Sequence, residues 1–165
     1  MIVVADSSPI NYLVLIEAVE LLKHLFGEVI VPGGVADELN SKGAPEIVRA
    51  WMTEPPDWVR VEQVRREALE ALADLKLHVG ELEAIVLAQS LDAHYLIMDE
   101  RAGRRAAEER QLTVVGTLGV LEKADERGLI DDFPTTLGRL DETSFYMSRE
   151  LKRTLLERHR SRKTT

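Results

Sequence analysis

The chain contains no cysteine, which excludes disulfide bonds, thiolate metal sites and cysteine nucleophiles together. Aromatic residues make up only 5% of its 165 residues. Long apolar runs are also missing, since no stretch approaches the roughly 18 residues that a membrane-spanning helix requires. No signal peptide precedes the first apolar run, at residue 2, so we expect a cytoplasmic protein without membrane contacts.

Acidic side chains outnumber basic ones and give the chain a net charge of −8. Residues 1–100 carry 18 acidic and 7 basic side chains, whereas residues 101–165 carry 11 acidic and 14 basic side chains. A globally acidic protein is a poor non-specific binder of nucleic acid, yet a local basic patch can still bind phosphates. The basic excess of the C-terminal part therefore leaves nucleic-acid binding open.

Short apolar runs alternate with segments of helical periodicity along the chain. The runs at residues 2–5, 28–31, 95–98 and 112–115 are typical of buried strands, and residues 58–62 alternate like an edge strand. Strands that alternate with helices predict an α/β fold, with a parallel sheet covered by helices on both faces.

Two of the helical predictions are specific enough to test. Apolar residues at helical spacing predict one helix that starts at Ser7-Ser8-Pro9 and stops at Phe26-Gly27, and another over residues 66–77. We see no internal repeat and no low-complexity linker. The expected organisation is one domain over residues 1–145, followed by a C-terminal helix and basic tail over residues 146–165.

Two of the buried apolar runs end in a carboxylate. Asp6 and Asp99 follow their runs directly, which places both at the carboxyl edge of the sheet, where ligands bind in open α/β folds. Each also has a structural interpretation, Asp6 as a helix cap and Asp99 as a charge at the positive end of a helix dipole. Carboxylates at close quarters repel one another, so the pattern favours a site for Mg²⁺ or Mn²⁺.

Two glutamates extend this acidic set. Glu81 opens a helix above a small apolar face that includes Ala84 and Ala88, so it is expected to point inward. Glu83 lies about 200° around the same helix and is expected to face solvent. Glu38 follows the second strand; taken alone it is more typical of a surface charge, and its case depends on the whole pattern.

Five segments of the chain, in this order, resemble a PIN-domain nuclease of the VapC-toxin-like kind. They are residues 4–10 (VADSSPI), 35–39 (VADEL), 80–88 (GELEAIVLA), 96–101 (LIMDER) and 115–121 (VGTLGVL). The resemblance covers about residues 1–130 and implies a PIN-like parallel sheet flanked by helices.

The resemblance also implies a metal-dependent endoribonuclease whose acids surround one or two Mg²⁺ or Mn²⁺ ions. Matching positions assign the catalytic and metal-binding roles to Asp6, Glu38, Glu81 and Asp99. Many PIN domains have aspartate where this chain has Glu81, a departure that bears on metal position and affinity. Toxin members of the family usually dimerise and are inhibited by a small antitoxin, so a homodimer and an antitoxin partner are implied as well.

Four residues near the acids are candidates for contact with an RNA substrate. Arg101 and Arg105 share a helix face beside Asp99 and could bind phosphates, although pairing with neighbouring glutamates is an alternative. Thr117, in the turn after the last strand, could orient a water or a phosphate, or cap the next helix. Ser7, directly after Asp6, is the fourth candidate.

Two other functions are compatible with an acidic pocket at strand ends. A receiver-like or phosphatase-like protein uses such a pocket for phosphoryl transfer to aspartate, but the usual lysine after a late strand is replaced here by Gly116-Thr117. A non-catalytic PIN-like module would bind RNA or a protein without cutting, and the complete set of four acids argues against it.

Overall fold

The computed structural model describes residues 1–164, at whose centre lies a five-stranded sheet. The strands are β1 (Val3–Ala5), β2 (Val29–Pro32), β3 (Val59–Glu62), β4 (Tyr95–Ile97) and β5 (Val114–Val115). Every neighbouring pair is parallel, and the strand order is β3-β2-β1-β4-β5. The predicted parallel α/β fold is confirmed, including an edge position for β3.

Ten α-helices surround this sheet within the described residues. In chain order they are α1 (Ser7–Leu15), α2 (Glu20–Phe26), α3 (Gly33–Leu39), α4 (Glu46–Thr53), α5 (Arg66–Leu69), α6 (Val79–Ser90), α7 (Arg101–Glu108), α8 (Thr117–Glu126), α9 (Phe133–Asp141) and α10 (Arg149–Lys163). A short 3₁₀ turn (Glu70–Leu72) follows α5. None of the helices within residues 1–164 is long and apolar enough to cross a membrane.

The predicted helix between Ser7 and Phe26 is wrong as a single element, because the chain breaks between α1 and α2. Glu17 has a φ of 58°, and the Ala18 amide donates to the Leu13 carbonyl at 2.7 Å. A non-glycine residue with positive φ cannot continue a right-handed helix. Ile16 and Val19 remain buried on either side of the break, so the periodicity identifies the buried face but not the interruption.

The predicted helix over residues 66–77 is also wrong in its length. Only α5 and the 3₁₀ turn form there, and Leu72 is the one buried residue of the segment. Short helices depend on the burial of an apolar face for most of their stability. With a single buried side chain, this segment has little to stabilise further helical turns.

Side chains alternate between two hydrophobic cores along the strands, as the pleat of a strand requires. Val3 and Ala5 belong to a core that includes residues of α1, α2, α8 and α9. Val4 and Leu96 belong to a second core that includes residues of α6 and α7. The sheet is therefore covered on both faces, and its carboxyl edge is left for the polar residues that follow the strands.

The strand order reverses between β1 and β4. The chain passes from β1 to β2 and β3 on one side, and then returns to pair β4 with the other side of β1, with Ala5 opposite Ile97. The Asp6 amide continues this pairing by donating to the Ile97 carbonyl at 2.9 Å. In open α/β folds the crevice at such a reversal is where ligands bind. Asp6 and Asp99 flank it.

Helix α10 packs against α8 and α9. Its Leu155 and His159 are buried, and Asp125 of α8 accepts hydrogen bonds from His159 and Arg162. The basic tail expected after residue 145 is thus helical as far as Lys163. Thr165, the last residue of that expected tail, lies outside the described residues. The boundary at residue 145 stays a prediction.

Candidate functional site

Asp6 is a buried carboxyl at the carboxyl end of β1. It occupies the N-cap position of α1, but its side chain does not cap that helix. The residue is 3% exposed, and within the described residues its Oδ1 atom has no hydrogen-bond partner. Because no donor satisfies this oxygen, helix capping does not account for Asp6.

The pKa of Asp6 is raised from its ordinary 3.8 to about 7. Burial is the largest cause, and the backbone amide of Ser7 opposes it. The negative charges of Glu81, Glu38 and Asp99 raise the pKa of Asp6 further. The three other acids singled out from the sequence therefore all act electrostatically on Asp6.

Glu81 is a second buried carboxyl, in the first turn of α6. It is 6% exposed, and its Oε2 atom is likewise unpaired within the described part of the chain. Burial raises the pKa of Glu81, whereas the charge and the backbone amide of His78 lower it; the charges of Glu100 and Glu38 add to the increase. Helix α7 approaches closely, because a β-carbon at Gly103 would lie 2.8 Å from Oε2.

Glu38 reaches the same place from α3. A β-carbon at Gly80 would lie 3.3 Å from Glu38 Oε2 and 3.8 Å from Asp6 Oδ1, so both carboxyls approach one point of α6. Glu38 is exposed and accepts a hydrogen bond from Ser7 Oγ at 3.0 Å. Ser7 therefore contacts one of the acids directly.

Asp99 is held by three hydrogen bonds at the carboxyl end of β4. Its carboxylate accepts from Ser8 Oγ at 3.1 Å, from the Thr117 amide at 2.7 Å and from Thr117 Oγ1 at 2.6 Å. Thr117 is fully buried. Its amide and its hydroxyl are thus both engaged with Asp99, and contact of Thr117 with a substrate stays a prediction.

The expectation that Glu83 faces solvent is wrong. Glu83 is 7% exposed and accepts a hydrogen bond from the Gly34 amide at 2.8 Å, near the N-terminus of α3. Burial raises the pKa of Glu83, the Gly34 amide lowers it and the charge of Asp37 raises it. The periodicity places Glu81 and Glu83 on different sides of α6. It does not show that α3 packs against the side that carries Glu83 and buries it.

The donor set suits a hard divalent cation. Buried carboxylate oxygens normally have partners, and Asp6 Oδ1 and Glu81 Oε2 are exceptions that a cation would satisfy. Within residues 1–164, no group of three His, Cys, Asp or Glu side chains is arranged so that together they could hold a metal ion, and Glu38 and Asp99 accept hydrogen bonds from hydroxyl groups. Because Mg²⁺ keeps several waters and needs only one or two carboxylates, the residues fit Mg²⁺ or Mn²⁺ without a closed protein shell.

The arginines of α7 differ in their surroundings. Arg105 pairs with Glu109 at 3.3 Å, as the alternative interpretation expected, and Arg101 is exposed. Arg104, which the spacing of the sequence does not distinguish, is half-buried beside the acids. A β-carbon at Gly116 would lie 2.5 Å from Arg104 Nη1 and 3.0 Å from Asp99 Oδ1, so guanidinium and carboxylate both border this turn.

Two open grooves adjoin the acidic edge. The larger, of about 870 Å³, is bordered by Asp99, the three α7 arginines and the loop that precedes α10, and the smaller, of about 540 Å³, is bordered by Ser7 and Glu38. Ser8 lies between them and borders both. Asp99 and Glu38 are therefore reachable from solvent through these grooves, whereas Asp6 and Glu81 lie buried behind them.

A comparison with protein-family models finds a match to the family DUF3368, described as a PIN domain, over residues 2–161. The matched range includes all four acids and extends beyond residue 130 into α10. No curated protein and no solved structure matches the chain.

Proposed function

The chain belongs to the PIN-domain family, a family of nucleases, and on this premise we propose that it is a Mg²⁺- or Mn²⁺-dependent endoribonuclease. The observation that carries the proposal is the state of Asp6. Its carboxyl is buried and has an unpaired oxygen, and the charges of three other acids raise its pKa. Buried acids in a crevice whose pKa values are raised, as those of Asp6 and Glu81 are, mark a candidate functional site.

Each acid has a distinct part in the proposed chemistry. Asp6 and Asp99 would bind the cation directly from the two strands at the reversal point, and Glu38 and Glu81 would bind it directly or through water. Thr117 and Ser8 keep Asp99 in its orientation through their hydrogen bonds. A divalent cation supplies an activated water and neutralises charge on the phosphate during hydrolysis of the phosphodiester.

The receiver-like alternative loses support at the end of the last strand. Gly116-Thr117 stands where such proteins have a lysine, and the Thr117 hydroxyl donates to Asp99. A non-catalytic RNA- or protein-binding module remains the second candidate, and a cleavage assay separates it from the nuclease.

The same proposal includes the biological setting that the family suggests. We propose that the protein is the toxin of a toxin–antitoxin pair or a related RNA-processing nuclease, acts in the cytoplasm and forms a homodimer. Light scattering of the purified chain tests the dimer. Co-purification with the product of the adjacent gene tests the antitoxin.

Cleavage of labelled single-stranded RNA tests the enzymatic claim. The wild-type chain is expected to cut with Mn²⁺ and to stop in EDTA. Glu38→Gln is expected to lose at least about tenfold in rate, the lower end of what even indirect metal partners contribute. Asp37→Asn, which changes the exposed neighbour on α3, is the matched control and should retain the wild-type rate. Cleavage that persists in EDTA, or that Glu38→Gln leaves intact, contradicts the proposal.

A further inference from the structure

Tyr146 is an exposed aromatic residue on an anchored loop. The loop over residues 142–148, between α9 and α10, holds Phe145 edge-on against the ring of Tyr12 at 5.1 Å and buries Met147. Between these two anchors the side chain of Tyr146 is 85% exposed. The backbone on both sides is thus fixed, while the ring has a free face.

This loop is tied to the helix that carries the acidic edge. The hydroxyl groups of Tyr12, on α1, and Ser144, on the loop, are hydrogen-bonded at 3.0 Å. Helix α1 begins directly after Asp6, and its Ser8 donates to Asp99. The position of Tyr146 relative to the acids is therefore set by side-chain contacts.

Arg104 borders the same groove from α7. Its Nη1 atom lies close to the Gly116 turn and to Asp99, and among the described residues no ion pair within 4 Å involves it. Arg101 borders the groove as well and is exposed. The groove therefore combines free guanidinium groups, which bind phosphates, with a free aromatic face, which stacks on bases.

We propose that this groove of about 870 Å³ binds single-stranded RNA, with Tyr146 stacking on a base and Arg104 binding a phosphate beside the acids. This inference rests on the proposed nuclease function and says where on the surface the RNA strand binds. An unpaired strand is required, because bases stacked inside a duplex offer no free face to Tyr146. The chain is acidic as a whole, so attraction of phosphates depends on this local set of arginines.

RNA binding in the groove is tested by measuring affinity under conditions that prevent cleavage. A labelled oligouridylate is titrated with the full chain in EDTA, and fluorescence anisotropy gives the dissociation constant at several salt concentrations. Tyr146→Ala should weaken binding about tenfold, whereas Tyr146→Phe, which keeps the ring, should stay close to wild type. Arg104→Gln should weaken binding and reduce the slope of log affinity against log salt by about 0.7. Arg160→Gln, an exposed change on α10, is the control.

The outcomes separate the groove from the nuclease. The proposal that the groove binds RNA is wrong if wild type, Tyr146→Ala and Arg104→Gln have equal affinity, or if wild type does not bind the oligouridylate. Either result stands even if metal-dependent cleavage is found. Binding that needs both residues supports the groove even if no cleavage occurs, a result that would contradict the nuclease alone. If Tyr146→Ala converts a dimer into a monomer and leaves RNA affinity unchanged, the surface is a contact between two copies and the inference is wrong.

Discussion

At the scale of single residues, the buried carboxyl of Asp6 makes ionisation costly in the metal-free protein. A pKa raised from 3.8 to about 7 corresponds to about 4 kcal/mol in favour of the neutral form. In the unfolded chain Asp6 loses its proton near its ordinary pKa, whereas in the folded chain it keeps the proton until about pH 7. The favourable contribution of neutral Asp6 is therefore complete below about pH 4 and is lost by about pH 7.

Without a bound metal, the protein is therefore expected to lose stability between about pH 4 and pH 8 through the ionisation of Asp6, in addition to any change caused by its other titratable groups. Asp6→Asn, which cannot ionise, should raise the free energy of unfolding at pH 8 by up to about 4 kcal/mol and change it little near pH 4. Urea unfolding in EDTA across this pH range measures the difference between the two proteins. Parallel pH profiles for wild type and Asp6→Asn would contradict the account.

Residue positions at strand ends could be predicted from the sequence, because a buried apolar run that ends in a carboxylate defines its own place in a parallel sheet. Asp6 and Asp99 were located in this way. Glu83, Arg104 and Tyr146 could not be, since their surroundings are made by segments distant in the chain. An exposed tyrosine in a loop carries no periodic signal at all.

At the scale of elements, the contact between α3 and α6 positions Glu38. Glu83 of α6 accepts a hydrogen bond from the Gly34 amide in the first turn of α3, and Glu38 lies about one turn further along α3. A β-carbon at Gly34 would overlap Glu83 Oε2. Because Oε2 is the end of a flexible side chain, a β-carbon there would displace the Glu83 carboxylate and remove the hydrogen bond from Gly34 that joins α3 to α6.

Gly34→Ala is expected to cost about 1–3 kcal/mol of stability, because the buried Glu83 carboxylate loses its hydrogen bond from the Gly34 amide, and to lower metal-dependent cleavage because α3 is held less firmly to α6. Urea unfolding measures the first effect, and the RNA assay measures the second. Gly138→Ala is the matched control, because that glycine lies inside α9 with open space around its α-carbon. The control should leave cleavage unchanged and stabilise the chain by about 0.5–1 kcal/mol. Equal behaviour of the two variants would show that the α3–α6 contact does not position Glu38.

Element boundaries show where sequence patterns stop being informative. The strands were predicted to within one or two residues, because each is a short apolar run with clear ends. The break between α1 and α2 was not, since Ile16 and Val19 keep one buried face across it. The spacing of apolar residues shows which side of a segment is buried. Two consecutive helices that bury the same side therefore give the same pattern as one long helix.

At the scale of the whole molecule, α10 is attached by a buried polar cluster. Asp125 accepts hydrogen bonds from His159 and Arg162, and the His159 ring stacks on Phe133 of α9. Burial alone would raise the pKa of Asp125, but the hydrogen bonds and charges of His159 and Arg162 together lower it. The C-terminal helix is thus joined to α8 and α9 by interactions that need an ionised Asp125.

Asp125→Ala should cost about 3 kcal/mol of stability, because it removes the buried carboxylate that accepts from the His159 ring and from Arg162. Asp141→Ala removes a partly exposed pair with Lys152 and should cost less than about 1 kcal/mol. Urea midpoints of the two variants give the comparison. Similar losses in both would mean that the Asp125 cluster contributes no more than a surface ion pair.

The whole fold was predictable in class, because alternating strands and helices leave few arrangements for a parallel sheet. The position of the acids at the reversal between β1 and β4 follows from that topology. The topology does not predict the hydrogen bonds of the site. Those from Thr117 to Asp99 and from Gly34 to Glu83 depend on how helices distant in the chain pack together.

We propose above all that Asp6, Glu38, Glu81 and Asp99 form one site for a divalent cation. Binding of Mn²⁺, followed by the electron paramagnetic resonance of the free ion, tests it most directly and without any assumption about the substrate. Wild type and Asp37→Asn are expected to bind with equal affinity, and Asp6→Asn to bind at least about tenfold more weakly. Mn²⁺ affinity that is the same in all three proteins would contradict the claim.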